Sequence, residues 1–116
     1  MAAEVWSDNV YVVHLADEPA FSEELDQLER QLTDGPRRHV VLDFDGVSFV
    51  NSSNLSQLIR LRRLVGENKC QLLLAAVRPE VWSTFLVSGL DKVFVHIQSV
   101  PLALAGLQLS EAEAGQ

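Results

Sequence analysis

The spacing of apolar residues changes several times along the chain, and each change marks an element. Val5 and Trp6, then Val10 to Leu15, flank the polar cluster Ser7-Asp8-Asn9, which predicts an opening β-hairpin. From Pro19 the period lengthens. Phe21, Leu25, Leu28 and Leu32 recur at steps of four, three and four with Glu23, Glu24, Glu29 and Arg30 between them, the pattern of an amphipathic helix. Pro19 suits its first turn and Gly35-Pro36 stops it.

His39-Val40-Val41-Leu42-Asp43-Phe44 is a continuous apolar run, as expected of a strand covered on both faces in a parallel sheet. An Asp45-Gly46 turn and Val47 to Val50 follow, then Asn51-Ser52-Ser53-Asn54 and a helical pattern through Val65 that Gly66 stops. Cys70 to Ala76 reads as another buried strand, Pro79 to Ser88 as a helix with Gly89 at its C′ position, and Val93 to Ile97 as the last strand. Ser99 is placed to cap a final helix through Leu107. The small and acidic residues 110–116 are expected to fray.

The order β-β-α-β-α-β-α-β-α demands crossover connections after the hairpin. The expected fold is α/β: a mixed, mostly parallel sheet of about five strands with four helices, in one domain over residues 1–109. Function should then sit in a loop at a strand end.

Composition narrows the function classes. With 116 residues and 47% apolar content, the chain can bury a core without disulfides or metal. A formal net charge of −7 opposes binding to phosphate backbones or anionic lipid, so neither nucleic acid nor a bare membrane surface is expected as a partner. Cys70, the single cysteine, cannot form an internal disulfide, and Met1 to Trp6 carry no basic region followed by an apolar core; both point to the cytoplasm. The longest apolar stretches, such as Leu72 to Val77, fall far below the ~20 residues of a membrane helix.

Two motifs stand at strand ends. Val40-Val41-Leu42-Asp43-Phe44-Asp45-Gly46 resembles the first motif of haloacid-dehalogenase-type phosphatases, in which Asp43 would attack phosphorus and Asp45 act as acid/base. That chemistry needs Mg²⁺ held by further acidic ligands, yet the only later Asp is Asp91, and no late acidic pair occurs before the tail residues Glu111 and Glu113. A turn after a strand is the simpler reading. His14, His39 and His96 have no metal-like spacing and read as ordinary strand residues, and Cys70 as a small core residue.

The second motif is Asn51-Ser52-Ser53-Asn54-Leu55, which follows an apolar strand ending in Leu42-Asp43 and a short loop. This arrangement resembles the STAS domains of anti-sigma factor antagonists, where the corresponding motif is Asp-Ser-Ser-Gly-Leu. Asn51 stands in place of the Asp and Asn54 in place of the Gly; Asn accepts hydrogen bonds and tolerates left-handed backbone, so the loop shape is expected to survive. Asp17 and Glu18 occupy the region of the family's acidic loop before the first helix, and Arg78-Pro79-Glu80-Val81 with Ser88-Gly89-Leu90-Asp91-Lys92-Val93-Phe94 resembles its later helix and Gly-Leu ending.

The resemblance implies a domain that docks on an anti-sigma factor which is also a serine kinase of the ATP-binding type, with no catalytic residue, cofactor or metal of its own. Phosphorylation falls on Ser53, with Ser52 second, and would break the complex. In the following helix Leu55, Leu58, Leu61 and Val65 form one inward stripe, whereas Ile59 and Leu64 fall outside it among Arg60 and Arg63. The expected partner surface comprises Asp17, Glu18, Asn51, Ser52, Ser53, Asn54, Gln57, Ile59, Arg60 and Arg63. The alternative within the family is a scaffold, or a subunit of a lipid-transport assembly, whose phosphosite the two Asn residues have retired.

Overall fold

The structure is a computed structural model that describes residues 3–7 and 9–114. Strand β1 (Ala3–Ser7) leads into β2 (Val10–Ala16), then α1 (Ala20–Asp34), β3 (His39–Gly46), α2 (Ser52–Glu67), β4 (Leu72–Ala75), α3 (Pro79–Ser88), a 3-10 turn (Leu90–Lys92), β5 (Val95–Ile97) and α4 (Val100–Ala114). Among the described residues there are four α-helices and one five-stranded sheet, in the order β1-β2-β3-β4-β5. β1 runs antiparallel to β2, and every later neighbour pair is parallel.

This topology explains where the helices lie. The parallel strands advance in one direction across the sheet, so right-handed crossovers put all their connecting helices on one face. Phe21, Leu25, Leu28 and Leu32 of α1, Leu58, Leu61 and Val65 of α2, and Val81 and Phe85 of α3 accordingly share a core with Tyr11, Val13, Val40, Leu42, Phe44, Leu72 and Leu74. The opposite face is left to α4, whose Ala103 and Leu107 cover Val10, Val12, Val41, Leu73 and Ala75. The continuous apolar runs of β3 and β4 are thus divided residue by residue between two cores, the period of two that a pleated strand imposes. Phe44 is the centre of the larger core, edge-on to Phe21 at 5.9 Å and to Phe85 at 6.5 Å.

Several boundaries differ from the sequence expectation. β3 continues through Asp45 and Gly46, while the Val47 N–H donates to the Phe44 carbonyl at 2.9 Å and closes the expected turn about the same two residues. Gly46 is required by a close approach: a Cβ there would stand 2.9 Å from the Leu15 carbonyl oxygen, beside the register shift between His14 and Ala16. β4 is shorter than Cys70 to Ala76. The Cys70 N–H turns back to the Val65 carbonyl, the Gln71 N–H goes to Nδ1 of His39, and Ala76 ends the strand at φ 57°.

The last strand also loses its first residues, because Val93 and Phe94 both donate to the Leu90 carbonyl and close the 3-10 turn. Gly89 holds the left-handed φ of 78° that its C′ position demands. α4 extends beyond Leu107 to Ala114, taking in most of the segment expected to fray, since Glu and Ala are strong helix formers; residues 115–116 lie outside the described residues. Among the described residues, no helix is long and apolar enough to cross a membrane.

Candidate functional site

At the C-terminal ends of β2 and β3 two loops meet: residues 17–19 leading into α1, and residues 47–51 leading into α2. Parallel strands present such loops side by side, and side-chain hydrogen bonds fix them here. The Asp17 carboxylate accepts from the Ser48 N–H at 2.8 Å and from its hydroxyl at 2.6 Å, reaching across from one loop to the other. The Ser48 hydroxyl and amide, with a further amide from Phe49, hold the Asp17 carboxyl below its ordinary range.

Glu18 does the corresponding work for α1. Pro19 at the N-cap has no side-chain acceptor, and Glu18 receives the Ser22 N–H at 2.7 Å together with the Ser22 hydroxyl. These bonds depress the Glu18 pKa, with a smaller contribution from Asn54. Asn54 supplies the bridge to α2: its Nδ2 donates to Glu18 at 3.3 Å.

The first turn of α2 is built by its two asparagines. Asn51, the N-cap, accepts the Asn54 N–H at 2.9 Å, and Asn54 accepts the Asn51 N–H at 3.0 Å, a reciprocal capping box. Asn54 therefore does not adopt left-handed backbone in place of a glycine. It is helical, 1% exposed, and the one buried polar residue among the described side chains. Ser52 and Ser53 sit between the asparagines and are exposed.

Gln57 is half-buried and turned toward α1, donating to Asp26 at 3.2 Å. Ile59, Arg60 and Arg63 are exposed along α2, as expected. Leu64, outside the inward stripe, packs half-buried against the core, as does Leu55, because α2 rests on both the sheet and α1 and buries a broad face. Phe49, 69% exposed beside the Asp17–Ser48 contact, was not singled out by the sequence, since periodicity says nothing about which way a loop residue faces.

The Asp43 carboxylate is occupied differently. It meets Nδ1 of His14 at 2.7 Å and accepts the Asp45 N–H at 3.0 Å, while the Asp45 carbonyl accepts from the Arg78 guanidinium at 2.8 Å. These bonds hold the end of β3. Among the described residues, no group of three or more His, Cys, Asp or Glu side chains is placed to hold a metal ion. Burial raises the thiol pKa of half-buried Cys70 and lowers that of His96, which lies 4.9 Å from the Trp82 ring.

Residues 8–105 match the STAS domain family. The chain belongs to that family. No curated protein sequence matches it significantly. Among solved structures, an anti-sigma-factor antagonist (STAS) domain protein from Planctomyces limnophilus is 21% identical with a TM-score of 0.74, covering 85% of this chain and 91% of that one. The anti-sigma factor antagonist SpoIIAA in its unphosphorylated form is 18% identical with a TM-score of 0.78, covering 91% and 94%. The phosphorylated form of the Bacillus cell fate determinant SpoIIAA gives 17% and 0.71, covering 90% and 96%. At these identities the likeness to the individual structures is one of fold; within it, this STAS domain is similar to anti-sigma factor antagonists.

Proposed function

We propose that this STAS domain is an anti-sigma factor antagonist acting in the cytoplasm, which docks on an anti-sigma factor that is also an ATP-binding serine kinase. The observation that carries the reading is the exposed Ser52-Ser53 pair in the first turn of α2, flanked by two loops that hydrogen bonds hold rigid. A preorganised surface loses little conformational freedom when a partner docks. Asp17, Glu18, Asn51, Ser52, Ser53, Asn54 and Gln57 form or support the docking face, Ile59, Arg60 and Arg63 extend it along α2, and Phe49 is its apolar anchor.

Ser53 is the residue the kinase would phosphorylate, with Ser52 second. A helix N-terminus tolerates a phosphate, because unpaired N–H groups and the helix dipole face it. The added charge of about −2 changes what the partner meets and opposes docking. That SpoIIAA has been solved in both phosphorylated and unphosphorylated forms supports a two-state reading of this fold.

One observation favours the scaffold reading. The Asn51–Asn54 box already engages the Asn54 N–H, so a phosphate on Ser53 has fewer free donors in this turn. A phosphosite retired in this way would leave a binding domain without a switch.

The test is recovery of the protein from its native lysate, with and without ATP, followed by intact-mass analysis and binding of variants to whatever ATPase co-purifies. An ATP-dependent gain of one phosphate at Ser53, with binding lost in Ser53→Glu and kept in Ser53→Ala, establishes the switch. Binding indifferent to both variants, with no mass change, establishes the scaffold. Phe49→Ala weakens the complex at least ~5-fold on either reading, the loss of about 1 kcal/mol or more expected of an anchor.

A further inference from the structure

A cavity of about 410 Å³ opens at the C-terminal end of α2, whose N-terminus carries the serine pair. At the helical rise of 1.5 Å per residue, Ser53 and Gly66 are about 20 Å apart along the axis, so the cavity lies at the far end of α2 from the serine pair and shares only Arg63 with the docking face proposed above. Its walls are of two kinds. Leu72, Leu73, Val93 and Val95 contribute apolar surface where β4 begins and the chain enters β5, and Arg62 and Arg63 contribute guanidinium groups. Val93 and Val95 are 40% and 53% exposed, an apolar wall left facing water.

The arginines are available for a ligand. Arg62 is steadied by its Nε, which donates to the Val93 carbonyl at 2.7 Å, leaving both Nη groups without a hydrogen-bond partner among the described residues. The Arg63 guanidinium has no partner among them either. Arg37 adds a third positive charge close enough to act on the Cys70 thiol, which also lines the cavity. In a chain of net charge −7, cations gathered beside an apolar wall form a local environment unlike the average surface. Small-molecule sites are typically concavities of about 300–1,000 Å³, mostly apolar with a few fixed polar groups.

We propose that this cavity binds a free amphipathic anion of the alkyl monocarboxylate class, with its carboxylate on Arg63 and the Nη groups of Arg62 and its chain on Leu72, Val93 and Val95. Planar guanidinium groups match a carboxylate with paired hydrogen bonds, and the alkyl chain removes the exposed valines from water. The ligand is a free molecule, since the overall negative charge repels an anionic bilayer that would offer the same chemistry at its surface.

Cys70 makes the test direct. It is the single cysteine, it lines the cavity, and its half-burial makes it a slow but measurable target for iodoacetamide. Decanoate below its micellar concentration should slow Cys70 alkylation, by about tenfold once it exceeds its dissociation constant by a similar factor. Decanol should protect far less at the same concentration, and Arg63→Ala, which breaks no hydrogen bond or ion pair among the described residues, should abolish most of the protection by decanoate. Circular dichroism of each sample confirms that the fold is intact. The proposal is overturned if decanoate gives no protection, if decanol or the Arg63→Ala protein shows equal protection, or if phosphatidylglycerol vesicles protect where decanoate does not.

Discussion

Asn54, buried in the first turn of α2, donates through Nδ2 to the Glu18 carboxylate at 3.3 Å and so ties the helix that carries the serine pair to the loop that begins α1. The same side chain receives the Asn51 N–H. Asn54 is thus the joint between the two loops. Asn54→Ala removes both bonds and leaves the Asn51 N–H without its acceptor. Urea denaturation should show a loss of about 1–3 kcal/mol, whereas a change under about 0.5 kcal/mol would mean that the joint carries no stability.

The two acidic residues beside it give the domain an acid-sensitive element. Hydrogen bonds from Ser48 and Ser22 lower the folded-state pKa of Asp17 and Glu18 below their ordinary values of 3.8 and 4.5. A depressed carboxylate binds its proton less readily in the folded state, so its contribution is present above the ordinary value and is lost as pH falls through the folded one. Stability should therefore decline below about pH 4.5, and Asp17→Asn should make that decline shallower. Urea midpoints measured from pH 6 to pH 3 on both proteins check this; parallel profiles would exclude a role for Asp17.

Two glycines separate close packing from helix propensity. Gly46→Ala drives a Cβ into the Leu15 carbonyl and should destabilise by about 1–3 kcal/mol. Gly66, inside α2 with nothing within 4 Å of an added Cβ, should behave oppositely, Gly66→Ala stabilising by about 0.5–1 kcal/mol. Thermal melts of the pair decide it: equal shifts would refute the packing argument for Gly46.

The sequence by itself determined the element order, the helix and strand types, and the family. Those follow from local physics: the four-three-four spacing of Phe21, Leu25, Leu28 and Leu32 fits only a helix, and the continuous run from Val40 to Leu42 fits a strand buried on both faces. The Ser52-Ser53 motif at a strand-to-helix junction was equally readable, because a motif is a matter of order along the chain. Boundaries were less so. Ends such as Gln71 and Phe94 are set by which distant carbonyl or ring nitrogen takes an N–H, as His39 does for Gln71.

Tertiary structure alone decided what the site residues do. That Asn54 is a buried helical joint, that Asp17 grips Ser48, and that Phe49 faces outward depend on two loops, distant in sequence, being laid side by side by the parallel pairing of β2 and β3. The same holds for the cavity at the far end of α2, whose walls come from three segments that no local pattern connects. Periodicity reports which way a residue faces relative to its own element. Which groups meet across elements is settled only when the sheet forms and brings its loops together.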